Sequence, residues 1–183
     1  GRNILGDNML SYLSNHIDYL IIGRRLGAQS LGYYEMAFAL PDMVRKNMAA
    51  TLTRVLYPVY SRVQSHEATL KAGFFGVVEG ISLVAFPLLA GLAVLAPQFV
   101  PLYFGPQWQA AITPVQLLAV AGMVRSVTIH MGTIIHARGR PDITMKMTAI
   151  RVPLLGVAVW TGTYWGIDGT AAAFTAFSYV WSA

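Results

Sequence analysis

Two long stretches of this chain contain no acidic or basic side chain, and they constrain its fold more than any other feature. No Asp, Glu, Lys or Arg occurs in 80–124 or in 152–167. Apolar stretches of about 18 or more residues with few charges are candidate membrane spans. A chain of 183 residues has too little interior to hide both stretches from water. We therefore expect a membrane protein.

The composition agrees with a membrane protein and argues against a nucleic-acid-binding domain. Hydrophobic residues make up 55% of the chain and charged residues only 11%, whereas roughly a quarter of the residues of a soluble domain are charged. The net charge of +5 comes from basic residues at the ends of apolar stretches, where membrane topology explains them. No nucleic acid partner is expected. The absence of cysteine excludes disulfides and thiolate chemistry in this chain.

Hydrophobic stretches and helix breakers predict an all-α, polytopic transmembrane bundle of about six helices in one domain, 1–183. The predicted helices cover about 4–22, 30–63, 73–96, 109–137, 143–166 and a last one after 169. Pro97 and Pro101 are expected to bracket a short separate segment after the third helix. The chain begins without Met and ends inside an apolar stretch, so we expect a piece of a longer protein, with its last helix truncated.

Basic residues are concentrated in two of the predicted turns. These residues are Arg62, Lys71, Arg138, Arg140 and Lys146. Lys and Arg are enriched in cytoplasmic loops, so the first, third and fifth helices are expected to run outward. Arg24 and Arg25 lie between the first and second predicted helices, in a turn that this assignment places outside, and so depart from the pattern.

The segment 39–48, ALPDMVRKNM, places charges in the middle of the second predicted helix. An ionised side chain at the bilayer centre costs about 2.5 to 3.5 kcal/mol on insertion scales. At about 100° per residue, Glu35, Asp42 and Lys46 share one face, with Arg45 beside it. That face needs water or protein against it.

Most other predicted helices also carry polar residues within the apolar stretch. Asn15 and Asp18 lie on the first, Glu79 on the third, Arg125 on the fourth and Arg151 on the fifth. Intramembrane ionisable residues usually mark a substrate or ion pathway. The sequence therefore predicts a hydrated cavity with a cationic lining. The predicted lining cations are Arg45, Lys46, Arg125 and Arg151.

Structural roles account for some of these charges equally well. Asp42 is spaced to pair with Arg45 and Lys46 on its own helix, and Asp18 could pair with Arg125 between helices. The surplus of central cations, above all Arg125 and Arg151, is hardest to explain in this way.

Enzyme motifs are poorly represented. His130 and His136 are six residues apart on one predicted helix, which places them about 120° from each other. The sequence contains no nucleophile elbow and no phosphate-binding Gly-Lys-Ser/Thr loop. We expect neither catalysis nor a cofactor or metal.

Several segments resemble the bacterial polysaccharide flippases of the multidrug/oligosaccharidyl-lipid/polysaccharide exporter superfamily. They are 18–28 (DYLIIGRRLGA), 30–41 (SLGYYEMAFALP), 56–62 (LYPVYSR), 104–108 (FGPQW) and 136–140 (HARGR). Their order along the chain is that of the family, although Arg25 stands where the family usually has an apolar residue. The resemblance implies the second six-helix half of a transporter with an inward- or outward-open V shape, and the first half is missing from this chain.

The resemblance further implies a multi-pass protein of the bacterial cytoplasmic (inner) membrane that flips a polyprenyl-pyrophosphate-linked oligosaccharide for O-antigen, capsule or exopolysaccharide. Arg45, Lys46, Arg125 and Arg151 are then expected to neutralise the head group, with Asn15 and Asp18 bonding sugars. Glu35, Asp42 and Glu79 are candidates for proton or sodium coupling. Expected partners are membrane lipids, the lipid-linked oligosaccharide and a polysaccharide polymerase or export machinery.

Three other functions stay open at this point. The same fold serves multidrug exporters, although cationic drugs favour acidic cavities, and it serves peptidoglycan-precursor flippases. A non-transporting membrane scaffold of a polysaccharide-assembly complex would not need unpaired cations at membrane depth. The glycan, the coupling ion, the native termini, the oligomeric state and the organism do not follow from the sequence.

Overall fold

The computed structural model describes residues 2–62, 67–137 and 141–182, with side-chain surroundings for 16–47, 79–128 and 146–182. Within these ranges the chain forms five α-helices and two short 3₁₀ helices, and no strand. The α-helices are α1 Arg2–Arg62, α2 Glu67–Phe104, α3 Ile112–Ala137, α4 Pro141–Gly162 and α5 Gly166–Ser182. The 3₁₀ helices are Pro106–Ala111 and Thr163–Trp165. The predicted all-α class is confirmed for the described residues.

A break at Gly27 divides α1 into two arms, 2–26 and 28–62. Gly27 has φ 85° and ψ 173°, a conformation that glycine adopts readily and other residues rarely do. The arms lie side by side, since the Tyr34 hydroxyl of the second arm donates to Asp18 of the first at 3.3 Å. They correspond to the first two predicted helices.

α2 continues through Pro97 and Pro101 to Phe104, so the expectation of a separate segment after Ala96 is wrong. A proline inside a helix leaves the carbonyl four residues earlier without its N–H partner. The Gln116 side-chain amide of α3 donates to that carbonyl, Ala93 O, at 2.9 Å. Membrane helices tolerate proline where a neighbouring helix satisfies the freed backbone group in this way.

α3 lies against α1, α2 and α5, and α4 lies against α1 and α5. Every α-helix contributes to one hydrophobic core. Its buried residues are Ile22, Tyr34, Ala37, Ala96, Val100, Val115, Leu118, Ala121, Leu155, Val159, Ala171 and Phe174. Because lipid tails are as apolar as these side chains, close packing and interhelical hydrogen bonds hold membrane helices together. Thr175 of α5 illustrates this, since its hydroxyl lies 3.0 Å from Leu117 O of α3.

Two segments of the described chain are long and apolar enough to cross a membrane, Glu79–Phe104 and Pro106–Thr128. The first exposes large apolar side chains, with Leu83 at 75%, Val94 at 71% and Leu102 at 88% exposure. A continuous apolar helix face of this kind is suited to lipid rather than water. These features agree with the membrane protein predicted from the sequence, while six membrane-spanning helices stay a prediction.

Candidate functional site: a cationic cavity

A cavity of about 550 Å³ lies among the arms of α1, α3, α4 and α5. Ligand pockets commonly have volumes of about 300 to 1,000 Å³. The side chains that surround this volume make up what we call the cationic cavity. Its lining is His16, Asp18, Tyr19, Phe38, Ala39, Asp42, Met43, Arg45, Lys46, Asn47, Arg125, Arg151 and Phe174.

The four cations that the sequence pointed to all line this one cavity. Arg45 and Lys46 come from the second arm of α1, Arg125 from α3 and Arg151 from α4. Helical periodicity makes Phe38, Asp42 and Arg45 neighbours on one face of that arm. The packing of α3 and α4 against α1 brings the other two arginines to the same space.

Asp42 lies between two of the cations. Arg45 Nε donates to Asp42 Oδ1 at 3.0 Å, with a second, ion-paired contact from the same guanidinium. Lys46 Nζ lies 2.8 Å from Asp42 Oδ2. The local ion pairing weighed as an alternative is therefore confirmed for Asp42. The two cations differ in access to solvent, since the Arg45 side chain is 11% exposed and that of Lys46 is 71% exposed.

Arg125 is held by aromatic rings instead of a carboxylate. Its guanidinium carbon lies 5.0 Å from the centre of the Phe38 ring and 5.4 Å from that of Phe174. The two rings meet edge to face at 5.5 Å. A cation over an aromatic face is stabilised by about 0.5 to 2 kcal/mol, depending on desolvation. This attraction orients Arg125 without cancelling its charge.

Among the described residues, neither Arg125 nor Arg151 forms an ion pair. Arg151 Nε is buried and, within the described part of the chain, has no hydrogen-bond partner. An unsatisfied buried donor is costly. These two arginines therefore present charge and N–H donors that a ligand can use.

Asp18 is the more buried of the two acidic residues in the described lining, with 2% exposure. The Tyr34 hydroxyl donates to its Oδ2 at 3.3 Å. Its Oδ1 is buried and lacks a hydrogen-bond partner in the ranges that the structure covers. The alternative of an Asp18–Arg125 ion pair is wrong, because Tyr34 occupies one oxygen and Arg125 lies against the two phenylalanines.

Among the described residues, the lining thus carries four cations and two carboxylates, a surplus of two positive charges. Arg125 lies within electrostatic range of Arg45 and Arg151 as well as of both carboxylates. Such a lining attracts an anion, and guanidinium groups match the geometry of phosphate oxygens. Tyr19, Phe38 and Phe174 add aromatic surface beside the charges.

The structure does not bring every predicted site residue to the cavity. Glu35 and Glu79 are exposed and are not among its lining residues. The side chain of Asn15 lies outside those that the structure describes.

Sequence reasoning did not single out the aromatic residues of the lining. Phe38 precedes Asp42 by one helical turn, a spacing that could have placed it on the charged face. No local signal marks Phe174, because its position depends on how α5 packs.

No group of three or more His, Asp or Glu side chains in the described ranges could hold a metal ion. The side chains of His130 and His136 lie outside those ranges.

Comparison with known proteins identifies the family. A family profile described as "Polysaccharide biosynthesis protein" matches residues 1–113, which is more than half of the chain. The chain belongs to this polysaccharide biosynthesis protein family. The resemblance to the polysaccharide flippases seen in the sequence is thereby confirmed.

The chain has curated relatives in bacteria and an archaeon. It is 32% identical over 162 residues to the lipopolysaccharide biosynthesis protein WzxC of Escherichia coli, covering 88% of this chain and 33% of that protein. It is 28% identical to the teichuronic acid biosynthesis protein TuaB of Bacillus subtilis, covering 88% and 34%. It is 24% identical to the probable low-salt glycan biosynthesis flippase Agl15 of Haloferax volcanii, covering 92% and 36%.

The chain therefore spans about a third of the length of the curated relatives it matches. No solved structure matches it.

Proposed function

We propose that this chain is part of a transporter that flips a polyprenyl-pyrophosphate-linked oligosaccharide across the bacterial cytoplasmic membrane by alternating access. The oligosaccharide would be a precursor of O-antigen, capsule or exopolysaccharide. The observation that carries the proposal is the cationic cavity between apolar helices, with Arg125 and Arg151 free of ion pairs within the described chain. The names of the relatives, one a probable glycan flippase, support the same function.

Charge balance supports a pyrophosphate head group. A pyrophosphate that bridges a lipid and a sugar carries about two negative charges at neutral pH, which would offset the surplus of two among the described lining residues. Arg45, Lys46, Arg125 and Arg151 are proposed to bind its oxygens. The glycan would stay in the hydrated cavity while the lipid tail remains in the bilayer.

The remaining predicted residues take secondary roles in this proposal. The unpartnered Oδ1 of Asp18 is suited to accept a hydrogen bond from a sugar hydroxyl, and Asn15 is proposed to do the same. Glu35, Asp42 and Glu79 stay candidates for coupling to protons or sodium. A polysaccharide polymerase or export complex is the proposed partner that receives the product.

The test uses the full-length protein in a host that lacks its own flippase. Arg125→Gln and Arg151→Gln are expected to abolish export of the surface glycan, because each removes a cavity cation that forms no ion pair with the described residues. Lys146→Gln is the matched control, since Lys146 is an exposed cation on α4 outside the cavity lining. Glycan export is read from surface polysaccharide, and membrane insertion from the amount of protein in the membrane fraction.

Each alternative function gives a different result in this test. A scaffold predicts normal export in both cavity variants, which would refute the proposal. A multidrug exporter predicts altered resistance to cationic compounds with unchanged glycan. A peptidoglycan-precursor flippase predicts rescue of a host that lacks peptidoglycan-precursor flipping, without any surface glycan.

A further inference from the structure

A second arginine–aromatic group lies outside the cationic cavity, at the end of the bundle marked by the Gly27 break. The Arg25 guanidinium carbon lies 4.4 Å from the centre of the Trp160 ring and 4.7 Å from that of Tyr164. Arg25 belongs to the first arm of α1, Trp160 to the last turn of α4, and Tyr164 to the 3₁₀ helix that follows. We call Arg24, Arg25, Trp160 and Tyr164 the arginine–aromatic patch.

The patch faces outward. Trp160 is 46% exposed and Tyr164 is 69% exposed, and both arginines are exposed as well. None of the four residues lines the cationic cavity. A ligand of the patch would therefore be distinct from the transported molecule.

The charge of the patch is not compensated internally. Neither Arg24 nor Arg25 forms an ion pair with any residue in the described ranges. The aromatic faces fix the orientation of the Arg25 guanidinium, yet they leave its charge in place. Its N–H donors suit the paired oxygens of a phosphate.

The aromatic residues indicate where that phosphate comes from. Trp and Tyr are enriched at the membrane–water interface, at the depth of the lipid head groups. The exposed part of each ring would then lie against the upper acyl chain, while the arginines reach the phosphate. A free phosphate ion would make no use of this apolar surface.

We propose that the arginine–aromatic patch binds the head group of an anionic phospholipid and so ties the Gly27 end of the bundle to the membrane interface. This inference is independent of the proposed transport function. It also gives a role to Arg25, the residue at which the chain departs from the usual family pattern.

The test measures binding of short-chain phosphatidylglycerol to the full-length protein in detergent. Arg24→Gln/Arg25→Gln is expected to weaken binding about tenfold, which corresponds to about 1.4 kcal/mol. Trp160→Leu, which removes no charge, is expected to weaken it about threefold because Arg25 loses one of its aromatic faces. Lys146→Gln, the loss of an exposed cation that touches no ring in the described chain, should leave binding unchanged.

Three results would overturn the inference. The first is unchanged phosphatidylglycerol binding in the double variant. The second is an equal loss in Lys146→Gln, which would indicate attraction by overall charge. The third is displacement of the lipid by millimolar inorganic phosphate, which would indicate a simple anion site. Arg25→Lys should fold if Arg25→Gln does not, and it should still bind less tightly, because lysine lacks the planar guanidinium.

Discussion

The molecule contains two arginines placed over pairs of aromatic rings, and they differ mainly in their surroundings. Arg125 lies beside Phe38 and Phe174 in the lining of the cationic cavity. Arg25 lies over Trp160 and Tyr164 on the exposed end of the bundle. Both retain their charge because an aromatic ring orients a cation without neutralising it. We propose that the same contact serves a transported anion at one place and a lipid anion at the other.

The surroundings of each arginine determine how much its cation–π contacts contribute to stability. Cation–π contacts are worth about 0.5 to 1 kcal/mol at exposed sites and about 2 kcal/mol or more where water is excluded. Changes around Arg125 should therefore have larger effects than the corresponding changes around Arg25. The variants Phe38→Leu/Phe174→Leu and Arg25→Gln test this order directly, and variants of Asp42, Arg45 and Lys46 test the charges beside Arg125.

The largest effect is expected from Phe38→Leu/Phe174→Leu. Within the described part of the chain, this double variant leaves Arg125 with neither an aromatic face nor an ion-paired carboxylate. The free energy of unfolding should fall by about 2 kcal/mol or more, and glycan export should fall more than tenfold. Thermal unfolding and the surface-glycan assay measure the two effects.

Phe177→Leu is the control for that variant. Phe177 is also on α5, but it stacks on Trp181 with ring centres 5.9 Å apart and lies outside the cavity lining. If Phe177→Leu lowers glycan export as much as the double variant, general packing and not the orientation of Arg125 explains the loss.

The next largest effect is expected from Asp42→Asn. This change removes the carboxylate shared by Arg45 and Lys46 and raises the positive surplus of the lining from two to three. Binding of inorganic pyrophosphate to the full-length protein should tighten about threefold to tenfold, because more free cation is available. Calorimetric titration measures it. Weaker binding would instead show that Asp42 acts by holding the two cations in position.

A smaller effect is expected from Lys46→Gln than from Arg45→Gln. The Lys46 side chain is 71% exposed and that of Arg45 only 11%, so solvent screens Lys46 more strongly. Loss of Lys46 should weaken pyrophosphate binding by no more than about fivefold, in line with about 1 kcal/mol for exposed pairs. Raising the ionic strength should shrink the difference between Lys46→Gln and wild type. Equal losses in both variants would argue against burial as the deciding factor.

The smallest effect is expected from Arg25→Gln in detergent without anionic lipid. The free energy of unfolding should fall by about 0.5 to 1 kcal/mol, and the melting temperature by about 1 to 4 °C. Differential scanning fluorimetry measures the shift. A loss as large as that of Phe38→Leu/Phe174→Leu would contradict the comparison between buried and exposed arginines.

Particular residues show which features of the candidate site could be predicted from the sequence. The charge of Arg125 and Arg151 in otherwise apolar helices predicted a hydrated cavity, and the pairing of Asp42 with its neighbours followed from helical spacing alone. The proposed Asp18–Arg125 pair was wrong, because the break at Gly27 lays Tyr34 beside Asp18. Glu35 shares a face with Asp42 by periodicity but is exposed and lies outside the cavity lining.

The prolines of α2 show the same limit of prediction from local sequence, here for the fold. Pro97 and Pro101 were expected to mark a separate segment, and local rules favour that expectation. The helix nevertheless continues, and Gln116, a residue of another helix, supplies the hydrogen bond to Ala93 O that Pro97 cannot donate. The spacing of residues along the sequence does not predict such a contact between helices.

By itself the sequence determined that this chain is helical, that it is apolar enough for a membrane and that it belongs to a polysaccharide biosynthesis family. Hydropathy, breaker residues and ordered motifs are local properties, so they can be read along the chain. Only the tertiary structure decided that the cations of three helices line one cavity, and that aromatic rings rather than carboxylates hold Arg125. Periodicity fixes which side chains share a face of one helix, but packing between distant segments decides which faces meet.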